Sequence, residues 1–162
     1  MLKQQGIASL NDLSAAEDKH MYMASALFLI YDRVIDALDE LIEQQLASPD
    51  KNIKVAFYKA VFAELIELGL SEQQAAQYFA VFYQLRRAYV VINRGLMGQA
   101  PCMVKWRRDL WNNIFTSHAL LYVENLWNRM EDFSTLLLGE TGTGKGAPAK
   151  AIGRSGLIPF DF

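Results

Sequence analysis

The 162-residue chain is predicted to be mainly α. A helical bundle in its N-terminal part leads through linker helices to one strand, a glycine-rich loop and one helix, the truncated start of an α/β phosphate-loop domain. Three observations carry that expectation. Apolar residues recur at three- and four-residue steps over most of the chain before Met130, with capping signals at the ends of the periodic runs. A glycine-bearing stretch closed by Pro101 interrupts the periodicity. Near the C-terminus an apolar run, the string GETGTGKG and a short helical stretch follow one another, the order that a phosphate-binding loop requires.

Taken in order, Ser14 and Glu17 have the spacing of a capping box, which satisfies the orphan N–H groups of a helix start. From there Met23, Leu27, Ile30, Val34, Leu38 and Leu41 form one apolar stripe, and Asp32, Asp36, Asp39 and Glu43 fall on the opposite, solvated side. Pro49 closes the connection that follows. A second helix is expected from about Asn52, with Phe57, Val61, Leu65 and Leu68 on one face. Gly69 ends it as the residue best able to take a left-handed cap, and Leu70 is placed to close a Schellman contact. Ser71 and Gln74 form another capping box and open a third helix. Tyr78, Val81, Phe82, Leu85, Tyr89 and Ile92 line one side of it, as a bundle core does, and Gln73, Gln77, Gln84 and Arg87 line the other.

Asn93 to Ala100 reads as a linker. The helical pattern resumes with Trp106, Leu110 and Ile114, then Leu120, Val123, Trp127 and Met130. Lys105, Arg107 and Arg108 on this segment could meet phosphates, but a three-residue cluster of this kind ordinarily faces water.

Composition narrows the classes. Hydrophobic residues make up 52% and charged residues 21%, enough for a core and outside the disordered class. Lys+Arg 16 against Asp+Glu 18 gives a net charge of -2, without the broad basic field of a dedicated nucleic-acid binder. Cys102 has no partner for an internal disulfide, and His20 and His118 are too few for an ordinary zinc cage. The opening MLKQQGIASLNDLS lacks the apolar core of a signal peptide. The longest apolar stretch, Ala24 to Tyr31, falls short of a membrane span. A reduced, cytoplasmic protein with no membrane partner is expected.

Chemistry concentrates at the C-terminal end. Ser134 to Leu138 is a short β-type run after the turn-like Glu131, Asp132 and Phe133. Gly139, Gly144 and Lys145 then meet the pattern G-x-x-x-x-G-K. Its glycines let backbone N–H groups converge on phosphate oxygens, the next helix offers its positive end, and the lysine sets an ammonium against the terminal phosphates. A bare match arises by chance in a chain this long at roughly the few-per-cent level, and the apolar run and the extra Gly142 make coincidence rarer. Gly146 stands where the general motif has a magnesium-ligating Ser or Thr, so the metal ligands stay open. Thr141 and Thr143 occupy different places in the loop.

Residues 130–161 resemble the opening of the ATPase domain of sigma-54-dependent transcriptional activators, the bacterial enhancer-binding branch of the AAA+ superfamily. That family presents G-E-(S/T)-G-T-G-K followed by an acidic residue. Gly139, Glu140, Thr141, Gly142, Thr143, Gly144 and Lys145 match it position by position, and Gly146 departs from it. Leu126 to Met130 resembles the helix leading into such domains, and the closing A-I-G-R-S-G-x-I-P-F-D is similar to one subgroup with a divergent helical N-terminal region.

The resemblance implies a helical regulatory domain over residues 1–100, linker helices over 101–133 and the truncated start of a sigma-54-interaction domain over 134–162. It implies ATP and Mg2+ as cofactors of the full-length protein, held in part by Gly139 to Gly146. The implied partners are sigma-54 RNA polymerase holoenzyme and further copies in a ring oligomer. DNA would be met only through a C-terminal domain that these residues do not include. No Walker B strand, GAFTGA loop or arginine finger occurs before Phe162, so the chain reads as an N-terminal fragment without catalytic residues and inactive alone, cut from an ATPase. Two alternatives stay open: another phosphate-loop NTPase with a helical extension, or a non-enzymatic helical interaction module.

Overall fold

The computed structural model describes residues 16–116, 119–127, 129, 134–158 and 160. They form helices α1 (Ala16–Ala47), α2 (Tyr58–Glu67), α3 (Glu72–Gly95), α4 (Pro101–Phe115), α5 (Ala119–Asn125) and α6 (Gly146–Gly153). The chain divides into two compact units, Met1–Phe79 and Ala80–Phe162, with the division inside α3. Among the described residues there is no strand, and no helix is long and apolar enough to cross a membrane.

In the first unit α1 buries Leu27, Ile30, Leu38, Leu41 and Ile42. Met23 and Val34 of the expected stripe are half-buried, while Asp32, Asp36 and Glu43 face solvent. Ser14, and with it the expected capping box, lies outside the described residues. Leu38 and Leu65 are fully buried, and truncating a leucine of that kind to alanine costs about 2–5 kcal/mol. Arg33 of α1 also pairs with Glu64 of α2. Both side chains are well exposed, so the pair adds little.

Helix α2 starts at Tyr58, six residues later than expected from Asn52. The β-branched Ile53 and Val55 disfavour helix, and the chain instead makes a turn in which the Tyr58 N–H meets the Val55 carbonyl at 3.5 Å. Phe57 therefore sits at the helix entrance, its ring tilted against Phe79 with centroids 5.9 Å apart. The end of α2 follows the sequence closely. Gly69 adopts φ 95°, its N–H reaches the Ile66 carbonyl at 2.9 Å and the Leu70 N–H reaches that of Leu65 at 3.4 Å. That is the Schellman pairing, with Leu65 and Leu70 both buried beside it. The next helix opens on a reciprocal box: Gln74 N–H donates to Ser71 Oγ at 3.3 Å and Ser71 N–H to Gln74 Oε1 at 2.9 Å.

Helix α3 departs from the one-sided stripe. Every residue from Tyr78 to Gln84 is buried, Tyr89 is 48% exposed, and Gln84, expected on the polar side, is 1% exposed. A helix covered around most of its circumference has no solvent face for a polar residue to mark. Tyr89 instead carries the Arg86 guanidinium over its ring, 4.8 Å from the centroid.

In the second unit α3 runs on to Gly95, into the expected linker, and Pro101 takes the first position of α4, where its missing N–H costs little. Arg107 ties down the intervening turn by donating to the carbonyls of Leu96 at 2.6 Å and Gly98 at 2.9 Å. Lys105 pairs with Asp109 at 2.6 Å, so two of the three clustered cations already have partners. Helix α4 ends at Thr116, whose φ of 63° is strained for a β-branched residue. Trp111, Phe115 and Tyr122 then form a run of rings, with centroid separations of 4.6 and 5.2 Å.

The expected strand at Thr135 to Leu138 is not formed: Ser134 to Glu140 has no regular structure. A strand needs a neighbour for its N–H and C=O groups, and the described residues supply none. Leu136 and Leu138 consequently stand 80% and 84% exposed.

Candidate functional site

The glycine-rich segment forms a looped turn leading directly into α6. Gly142 and Gly144 adopt φ 85° and 80°, a region that costs a side-chain-bearing residue about 1–2 kcal/mol. Gly139 is tightly placed, since a Cβ there would lie 3.0 Å from Thr143 Oγ1, which would have to give way by a few tenths of an ångström. The loop is fastened from within. Thr143 Oγ1 donates to the Glu140 carbonyl at 2.8 Å. Lys145 curls back so that Nζ donates to the carbonyls of Gly139 at 2.8 Å and Glu140 at 2.6 Å.

Lys145 itself precedes the first residue of α6. The N-terminal turn of a helix presents N–H groups without intrahelical acceptors and the positive end of its dipole. Pro148 lies in that turn, fully buried, and Ala151 and Ser155 bury the same side of the segment, while Gly139 to Gly144 stay exposed. The open loop brings together one ammonium, two left-handed glycines and the start of α6, where Ala147 N–H donates to the Gly144 carbonyl at 3.1 Å and Pro148 has no N–H to offer. All eight residues expected to contact phosphate, Gly139 to Gly146, therefore belong to one continuous loop and helix start.

Magnesium is a different matter. No Cβ added at Gly146 would meet an atom within 4 Å, so packing does not dictate the missing hydroxyl there. Thr143 spends its hydroxyl on the Glu140 carbonyl. Among the described residues no group of three or more His, Cys, Asp or Glu side chains could hold a metal ion. Among the described residues, those around the loop do not assemble a metal's ligands.

Beside this segment lies a cavity of about 300 Å³ whose walls include Asn113, Ile114, Thr116 and Tyr122 on one side and Thr135 and Ile152 on the other. Thr135 Oγ1 and Asn113 Oδ1 are hydrogen-bonded across it at 2.9 Å. Among the described residues its lining carries no charged side chain.

Sequence reasoning missed the buried polar cluster behind the loop. Gln84 Nε2 of α3 donates to Tyr122 Oη at 2.8 Å and to the Ser155 carbonyl at 3.1 Å, and Ser155 Oγ donates to the Ala151 carbonyl at 2.7 Å. Burial pushes the Tyr122 phenol above its ordinary pKa of 10, against the smaller lowering effect of the Gln84 hydrogen bond. Tyr83 is raised for the same reason, opposed by the charge of Arg87. Only the switch from polar neighbours to a glutamine within an aromatic run, FYQL, hinted at this role. Compared with protein-family models, curated proteins and solved structures, the chain matches none.

Proposed function

We propose that Gly139 to Gly146 bind the phosphates of ATP, and that the chain is the N-terminal part of a cytoplasmic sigma-54-dependent transcriptional activator. In such a protein ATP hydrolysis by a ring of subunits remodels the sigma-54 RNA polymerase holoenzyme. The observation that carries the reading is the coincidence of motif and local geometry. The residues matching G-E-T-G-T-G-K include two glycines at left-handed φ, and the lysine ends the loop at the head of a helix.

The exposed Leu136 and Leu138 agree with this reading. In a complete ATPase domain the run before the loop becomes the first strand of a parallel sheet, and flanking strands and helices cover those side chains. Magnesium and the arginine finger belong to later sequence and a neighbouring subunit. In this mechanism the chain's own residues bind and orient: the backbone cradles the phosphates and Lys145 neutralises the terminal one.

The test is transcription by sigma-54 holoenzyme with the full-length activator. ATP-dependent activation that disappears in Lys145→Ala supports the proposal. Activation that survives the substitution contradicts it.

A further inference from the structure

We infer that Gln84 is a positioning residue for the phosphate loop, locking α6 against α3 and thereby regulating how well the loop is aimed; the regulatory half rests on the phosphate reading above.

Helix α6 is only eight residues long and carries Gly146, Pro148 and Gly153. A helix that short is not stable by itself, so its direction comes from what it packs against. Helix α4 packs against it, and two further contacts tie it to α3. At one end an ideal Cβ on Gly95 would sit 3.9 Å from the Ala147 carbonyl oxygen, an ordinary van der Waals approach. At the other end Gln84 Nε2 holds the Ser155 carbonyl at 3.1 Å. From Gln84 to Gly95 on α3, and from Ser155 just past the end of α6 back to Ala147 near its start, the two helices run antiparallel.

Pro148 and Ala151 are the buried residues of α6, and apolar burial of this kind allows sliding, because it is non-directional. The hydrogen bond does not. A carbonyl oxygen only accepts, so the Gln84 amide nitrogen must face Ser155, and the same group also donates to Tyr122 Oη. Gln84 is 1% exposed and Ser155 is 1% exposed, so water offers no replacement donor. Breaking the tie frees the C-terminal end of α6, and with it the direction in which the helix N-terminus meets a bound anion.

The experiment uses the 162-residue chain and amide hydrogen exchange. Gln84→Met and Gln84→Leu fill much of the same volume but cannot donate to a carbonyl. Tyr122→Phe keeps the Gln84–Ser155 bond. Exchange of the α6 amides is expected to rise about tenfold in both Gln84 variants, the effect of losing roughly one hydrogen bond. Tyr122→Phe and the amides of α2 stay close to wild type. Unchanged α6 exchange in the Gln84 variants, or an equal rise in Tyr122→Phe, overturns the inference.

A second readout is specific to positioning. On adding millimolar MgATP to the wild type, the Gln84 side-chain amide resonances should shift together with the loop amides of Gly142 and Gly144. Loop shifts without a Gln84 shift overturn the coupling and leave the phosphate reading standing. No loop shift at all overturns the phosphate reading and the regulatory half with it.

Discussion

The ammonium of Lys145 donates to the carbonyl oxygen of Gly139 at 2.8 Å, closing the loop that these two residues bound. With the second bond to Glu140 at 2.6 Å, the cation rests on neutral backbone dipoles. On the proposed reading, a phosphate arriving at the head of α6 exchanges these ion–dipole bonds for an ion pair in which both donor and acceptor are charged. The loop thus closes on its own cation, near the place where the proposed ligand would meet it.

The glycines of the loop are not equivalent. Gly144→Ala forces a side chain into φ 80° and should destabilise the second unit by about 1–2 kcal/mol. Gly146→Ser meets open space and improves helix propensity, so it should be neutral or stabilising by up to about 0.5 kcal/mol. Urea unfolding of the two variants separates them. Equal destabilisation would mean that position 146 is constrained by something other than backbone and packing.

Alkaline pH should weaken the fold. Tyr83 and Tyr122 have phenols raised above 10 by burial. A raised folded-state pKa stabilises the native chain fully below pH 10 and loses that contribution as pH climbs through the folded value. The midpoint of urea unfolding should therefore hold from pH 7 to 9 and fall above about 10. The double variant Tyr83→Phe, Tyr122→Phe should fall less steeply over that range; identical slopes would contradict the burial argument.

The 162-residue chain should release no phosphate from ATP. The run before the loop lacks ladder partners, which leaves the loop without the support that makes a preorganised site favourable. Hydrolysis also needs metal ligands that the described residues do not assemble. A malachite-green assay with MgATP checks this, and measurable turnover by the purified chain would contradict it.

Local signals were legible in the sequence and tertiary ones were not. The corner from Gly69 through Gln74 was readable because each of its bonds joins residues within a few positions. The loop was readable for the same reason: glycine tolerance of left-handed φ belongs to single residues. The late start of α2 was missed because the β-branching of Ile53 and Val55, which opposes helix, leaves no mark on the stripe that begins at Phe57. Gln84 was misplaced because its partners, Tyr122 and Ser155, lie 38 and 71 positions away. Arg107 has backbone carbonyls for acceptors, which composition does not reveal. The strand failed for want of neighbours, a property of the surrounding chain and not of the run itself.

Calorimetric titration of the full-length protein with MgATP, wild type against Lys145→Ala, tests the central claim most directly. Removing the ammonium deletes at least one charge-assisted bond of about 1.5–3 kcal/mol, so affinity should drop about tenfold or more while the helical circular dichroism stays unchanged. Equal affinities in the two proteins would show that Gly139 to Gly146 do not hold the phosphates.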